Sequence, residues 1–238
     1  MKPVLLIAMN FVREQRWPIL VLLLWVLLLA FLGLMSDIRR QREDLLFVFK
    51  QVAFYVVVFS VFFGGSAIYS ERRSRRILAV LSKAVSRQQY LSGLVLGVTI
   101  ASAIYCFTLG LTGSWTLGEA GFPMSQVWFL MLCLVAACML AGTVALMFST
   151  FLNPFFAASA TAAVLGLPAV AGESHALAAQ WGYVIPAYAL TRTVVQASFQ
   201  SPGNSFWLPI LLALVETVGF WLVAARIFAY VDIVVAVE

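Results

Sequence analysis

The chain is 238 residues long, 63% hydrophobic and 11% charged, with a formal net charge of +5 and a mean hydropathy of +1.00. A soluble domain of this length needs far more polar surface, so the composition excludes that class and points to an integral membrane protein. The basic balance calls for no nucleic acid partner, because Lys and Arg collect on the inner side of membrane proteins.

Residues 4–9 are apolar but too short to span. Asn10, Arg13, Glu14 and Arg16 follow with no small-residue cleavage site, which argues against a cleaved signal peptide. Leu5, Ala8, Met9 and Val12 share one helical face, with Asn10, Arg13 and Glu14 opposite, so residues 1–17 are expected to form a helix lying in the membrane interface. Six apolar runs follow, at about residues 18–35, 45–69, 91–113, 126–151, 155–172 and 206–230. Each is long enough for about 30 Å of hydrocarbon at about 1.5 Å per residue. The runs are continuous, whereas barrel strands would alternate apolar and polar residues, so helices are expected. The expected fold is all-α: a single polytopic membrane domain over residues 1–238 with six transmembrane helices.

Charge sets the orientation. With the N terminus inside, Lys2, Arg13, Arg16, Arg72, Arg73, Arg75, Arg76, Lys83, Arg87 and Arg226 fall on the cytoplasmic side; Arg39, Arg40, Arg42 and Arg192 fall outside. This bias places both termini in the cytoplasm and the chain in the cell's inner (plasma) membrane as a multi-pass protein.

Residues 70–90 form a basic cytoplasmic loop between the second and third runs. Ile77, Leu78 and Leu81 make one apolar face behind Arg72, Arg73, Arg75 and Arg76, predicting a short amphipathic helix parallel to the membrane. Such a helix docks in a partner's groove through its apolar anchors or rests on anionic headgroups. The three cysteines, Cys106, Cys133 and Cys138, lie within spans and act as small apolar groups, and the one histidine, His175, lies outside, so no metal site is expected.

The fifth run is rich in small residues, which let helices approach closely. Ala158, Ala162 and Gly166 mark its candidate dimer face, and Pro168 is expected to kink it. Residues 173–205 are too apolar for a free outer loop and are expected to dip into the outer leaflet as a re-entrant or capping segment broken at Pro186. Glu216 sits about 13 Å into the last run. A carboxylate there costs about 2.5–3.5 kcal/mol, so it should face protein or water. Lys50, about 8 Å deep in the second run, is the candidate partner, and the two are candidate pathway residues.

The loop also carries a sequence pattern. Ile77-Leu78, Leu81-Ser82, Val85-Ser86-Arg87, Tyr90-Leu91, Gly93 and Gly97, with Glu71 upstream, resemble the segment after the second span in type 2 ATP-binding cassette (ABC-2) transporter permeases. The pattern departs from the family at Ala84, at Ser74-Arg75 and at Leu94; the ending Arg226, Phe228, Asp232 is also similar. The resemblance implies an N-terminal elbow helix, a cytoplasmic coupling helix and re-entrant elements before the last span. It makes Glu71, Ile77, Leu78, Leu81, Ser82, Val85, Ser86 and Arg87 the residues that couple to an ATPase.

The only lysines are Lys2, Lys50 and Lys83, and none follows a glycine, so the phosphate-cradling GxxxxGK[ST] loop is absent. The resemblance therefore implies a non-catalytic subunit without cofactors of its own. Separate cytoplasmic ABC ATPase subunits would bind ATP and Mg, and a second permease copy or paralogue would complete an exporter working by alternating access. A scaffold or regulatory subunit that binds an ATPase and transports nothing is the alternative. An intramembrane hydrolase is disfavoured, because Ser66, near the inner face, and His175, outside, sit at different depths.

Overall fold

The computed structural model describes residues 2–35, 42–73, 85–119, 121–171 and 207–230. Among these, every regular element is an α-helix: α1 (Lys2–Glu14), α2 (Arg16–Met35), α3 (Arg42–Arg73), α4 (Arg87–Glu119), α5 (Met124–Ser149), α6 (Pro154–Ala171) and α7 (Trp207–Tyr230). Helices satisfy their own backbone groups, which is what hydrocarbon demands. The hydroxyls of Thr99, Thr108, Thr112, Ser114 and Thr116 in α4 likewise donate to carbonyls one turn back.

Four stretches are long and apolar enough to cross a bilayer: Gln51–Ser70 in α3, Arg87–Gly118 in α4, all of α5, and Ile210–Tyr230 in α7. A fifth is counted if α1 and α2, bent by 63° at Gln15, form one broken span, while α6 is a shorter apolar helix over Pro154–Leu165. The difference from the six expected spans lies at these two places. The apolar run in α2 is continued by α1 through a bend, and the described apolar part of α6 is short.

At the centre is α5, packed on α3, α4, α6 and α7. In its most apolar stretch 78% of residues are buried, against 28% for α7. Lipid tails are as apolar as leucine, so close packing rather than water exclusion holds such helices together. Glycine supplies it where α3 crosses α5: a Cβ at Gly64 would overlap the carbonyl of Gly142, and one at Gly142 would meet Ser60 and Val98. Beside this crossing, the Ser60 hydroxyl donates to the Cys138 carbonyl. On the neighbouring face of α3, Gly65 lies against Pro154 and Ala158 of α6.

A second glycine pair receives α1. A Cβ at Gly93 would come within 2.7 Å of Ile7, and one at Gly97 within 2.8 Å of Phe11. These glycines lie one turn apart on α4 and open a groove into which Ile7 and Phe11 fit. The groove sets the rotation of α1: Ala8 and Phe11 are buried, Val4 and Ile7 partly so, while Leu5, Leu6 and Met9 are exposed. Shape complementarity to α4 sets this inward face, and Leu5, Leu6 and Met9 are left on the outer side, where apolar side chains suit contact with lipid.

The link from α4 to α5 is a tight stop. Gly121, at φ 81°, has the left-handed backbone that favours glycine. Its N–H donates to the Gly118 carbonyl at 3.0 Å and that of Phe122 to the Leu117 carbonyl at 3.1 Å, the paired bonds of a Schellman end. Phe122 is buried, and Pro123 then starts α5 from an extended backbone.

Aromatic residues mark two levels. Trp115 on α4 and Trp207 on α7 are exposed at one end of the molecule; Trp17, Tyr69 and Tyr230 are exposed toward the other. Trp207 meets Phe129 edge-on at 5.1 Å, and Arg226 lies 5.2 Å over Tyr230. Amphipathic rings favour the two bilayer interfaces, and the separation along α7, about 34 Å, fits the thickness of a hydrocarbon core.

Candidate functional site

The loop that the sequence marks as the partner-binding element is described only at its edges. Glu71 lies in the last turn of α3. Ile77, Leu78, Leu81 and Ser82, and with them the expected amphipathic helix, lie outside the described residues, as does the 173–205 segment. Val85, Ser86 and Arg87 are described, and they form the entry to α4.

That entry is built by a capping box. The Gln89 N–H donates to the Ser86 hydroxyl at 3.2 Å, and the Ser86 N–H donates to the Gln89 side-chain oxygen at 3.2 Å. Two of the four donors that a helix start leaves without backbone partners are thereby satisfied. Tyr90 N–H donates to the Ser86 carbonyl at 3.0 Å as the first helical bond, and Val85, just outside, packs against the core. The signal is legible in the sequence as Ser86-x-x-Gln89, of which the family pattern includes only Ser86.

Arg87 does something the sequence did not announce. Its guanidinium donates to the carbonyls of Phe228 at 2.7 Å and Ala229 at 3.1 Å, in the last turn of α7. It also sits 5.8 Å over the Phe228 ring, and Tyr90 stacks on the same ring at 6.2 Å. Tyr90 and Phe228 are fully buried. The electrostatics explain the direction. A cation in the first turn of α4 is unfavourably placed for its own helix dipole but favourably placed against the negative C-terminal end of α7. Carbonyls at a helix C-terminal end are ready acceptors for such a donor. These contacts join residues 141 and 142 positions apart, which no local pattern could reveal.

The two candidate pathway residues lie on α3 and α7. Lys50 lies in the first half of α3, and its side chain is outside the described set. Glu216 is half-buried on α7, beside the buried stripe Ile210, Ala213, Thr217, Ala224 and Phe228 rather than within it. Among the described residues α3 and α7 each pack on α5 and share little direct contact. In α6, Ala158 is buried against α3 of its own chain, whereas Ala162 is exposed. The surroundings of Gly166 lie outside the described set, and α6 continues as helix through Pro168 to Ala171.

The three cysteines are free thiols buried in α4 and α5. A cavity between α2, α3 and α4, lined by Leu22, Val56, Phe59, Ser102 and Tyr105, has room for about one water molecule. It is too small to hold a transported solute.

A family model described as ABC-2 family transporter protein matches residues 39–226, from the approach to α3 through nearly all of α7. No curated protein matches the chain.

Proposed function

The chain belongs to the ABC-2 family of transporter proteins, and we propose that it is the permease subunit of an ABC exporter. The observation that carries this reading is the family match, which covers the basic loop and the helices on both sides of it. It is a multi-pass membrane protein of helices, four to five of them candidate spans. In the finer arrangement we propose, six helices, α2 to α7, cross the inner membrane, both termini are cytoplasmic, and α1 serves as the elbow.

Motor and gate are separate in this scheme. Cytoplasmic ABC ATPase subunits bind ATP and Mg and press on the loop through Ile77, Leu78 and Leu81, with Glu71 and Ser82 at its edges. The permease acts as a pair with a second copy or a paralogue, and the exposed Ala162 side of α6 is the candidate contact. Lys50 and Glu216 line the outer half of the pathway between alternating states. A scaffold that binds the ATPase and moves nothing is the competing reading, and substrate-stimulated ATP hydrolysis in liposomes separates the two.

The experiment is direct. Replacing Leu78 and Leu81 together by Asp charges both apolar anchors, and loss of one central anchor typically costs 2 kcal/mol or more, about thirtyfold in affinity. Co-purification of the ATPase should be lost while the permease still inserts and elutes as a folded species. Survival of the complex would reduce the loop to a lipid-facing element.

A further inference from the structure

Arg87 belongs to the loop's exit but spends its guanidinium on α7. We infer that Arg87, Tyr90 and Phe228 form a clasp that delivers displacement of the loop to the last helix, making α7 the span that moves. The inference rests on the permease reading given above.

Three observations carry it. First, the contacts described in the clasp are directional and specific: two charge-assisted hydrogen bonds at 2.7 and 3.1 Å, the guanidinium 5.8 Å over the Phe228 ring, and one ring stack. Charge-assisted bonds are directional, so the clasp holds one register of α4 against α7 and loses strength steeply when that register slips. Second, α5 is largely buried among α3, α4, α6 and α7 and cannot shift without unpacking them. By contrast, α7 is the least buried of the four long spans. Its inward side is a narrow stripe, Ile210, Ala213, Thr217, Ala224, Ala225 and Phe228. With so much of its surface outside the bundle, α7 has the fewest packed side chains to shift when it moves. Third, Ser86 and Gln89 fix the first turn of α4 rigidly, so movement of the preceding loop turns that whole corner, Arg87 with it. Arg87 is therefore a positioning residue between loop and helix, not a docking contact for the ATPase.

The test uses the full chain in lipid nanodiscs, with spin labels at Leu111→Cys on α4 and Tyr230→Cys at the end of α7, both exposed sites. Pulsed electron resonance then reads the distance between the far part of α4 and the clasped end of α7. In the absence of nucleotide the wild-type background should give one narrow distribution. Arg87→Ala removes both bonds and should raise the released population by at least about tenfold, the weight of one charged hydrogen bond. Phe228→Ala, which removes the ring but keeps the accepting carbonyl, should raise it by less, and Arg87→Lys less than Arg87→Ala. An unchanged distribution in both single variants overturns the clasp.

The second arm adds the co-purified ATPase with ATP and vanadate. The wild-type distance should shift, and in Arg87→Ala the shift should vanish while the ATPase remains bound. An equal shift in Arg87→Ala overturns the inference. So does loss of the ATPase from that variant, which would make Arg87 a docking residue. If no ATPase binds the wild-type chain, the permease reading fails, and the transmission role fails with it, while the distribution without nucleotide still decides whether the clasp exists.

Discussion

At Gly64 one methyl group is the difference between contact and collision. A Cβ there would overlap the backbone carbonyl of Gly142, and backbone cannot turn aside as a flexible side chain can. Gly64→Ala must push α3 away from α5, and overpacking of this kind costs about 1–3 kcal/mol. Gly219 is the internal control: it too is a helical glycine, yet nothing lies within 4 Å of its added Cβ. There alanine only gains helix propensity, worth up to about 1 kcal/mol. Thermal unfolding in detergent should show Gly64→Ala several degrees below wild type and Gly219→Ala at or above it. Equal shifts for the two would mean that the α3–α5 crossing is looser than its geometry. Two identical residue types thus differ because of what stands opposite each, a fact of tertiary structure that composition does not carry.

Among the helices, legibility followed the range of the information. Apolar runs are local, so each of the six predicted runs corresponds to a helix, α2 to α7. What did not follow was which of those helices qualify as independent spans, because that depends on the bend between α1 and α2 and on the short described reach of α6. The protein-facing side of α1 is likewise beyond what hydropathy carries. Hydropathy ranks Leu5 and Met9 with Ala8 and Val12, but the groove at Gly93 and Gly97 admits Ile7 and Phe11, and fit outranks hydropathy where both sides are apolar. Of the candidate site, the capping box was written in four consecutive residues, whereas Arg87's partners lie on another helix far along the chain. The proposed Lys50–Glu216 pair belongs to this scale, because it needs α3 and α7 to approach during transport. Glu216→Gln and Lys50→Met should each impair substrate-coupled ATPase activity, and the double variant should lose less than the sum of the two. Strictly additive losses, or full transport in both single variants, would remove the residues from the pathway.

For the molecule as a whole, the testable statement is its orientation. The Arg87–Phe228 contact puts the start of α4 and the end of α7 at the same level, and the charge distribution assigns that end to the cytoplasm. In intact cells, an impermeant thiol reagent should label Ser174→Cys and Asn204→Cys but leave Ser82→Cys untouched until the membrane is opened. Labelling of Ser82→Cys from outside would invert the molecule and remove its loop from any cytoplasmic ATPase. The Schellman stop at Gly121 and the Trp115 and Trp207 level would then face the cytoplasm as well, since all lie at the opposite end from Arg87.

The spacing along the chain of the two partners in the α4–α7 contact also bears on biosynthesis. Helices leave the ribosome in order, and α3 can meet α5 well before α7 exists. The carbonyls of Phe228 and Ala229 are among the last described parts to be made, 141 and 142 residues after Arg87, and closing so long a loop comes late because its entropy is lost before the contact rewards it. Until then the first turn of α4 holds a cation destined for a helix not yet inserted, at the membrane surface where anionic headgroups can keep it solvated. Insertion of α7 gives that charge its carbonyl partners, so the same contact separates a helix that has docked from one still to come.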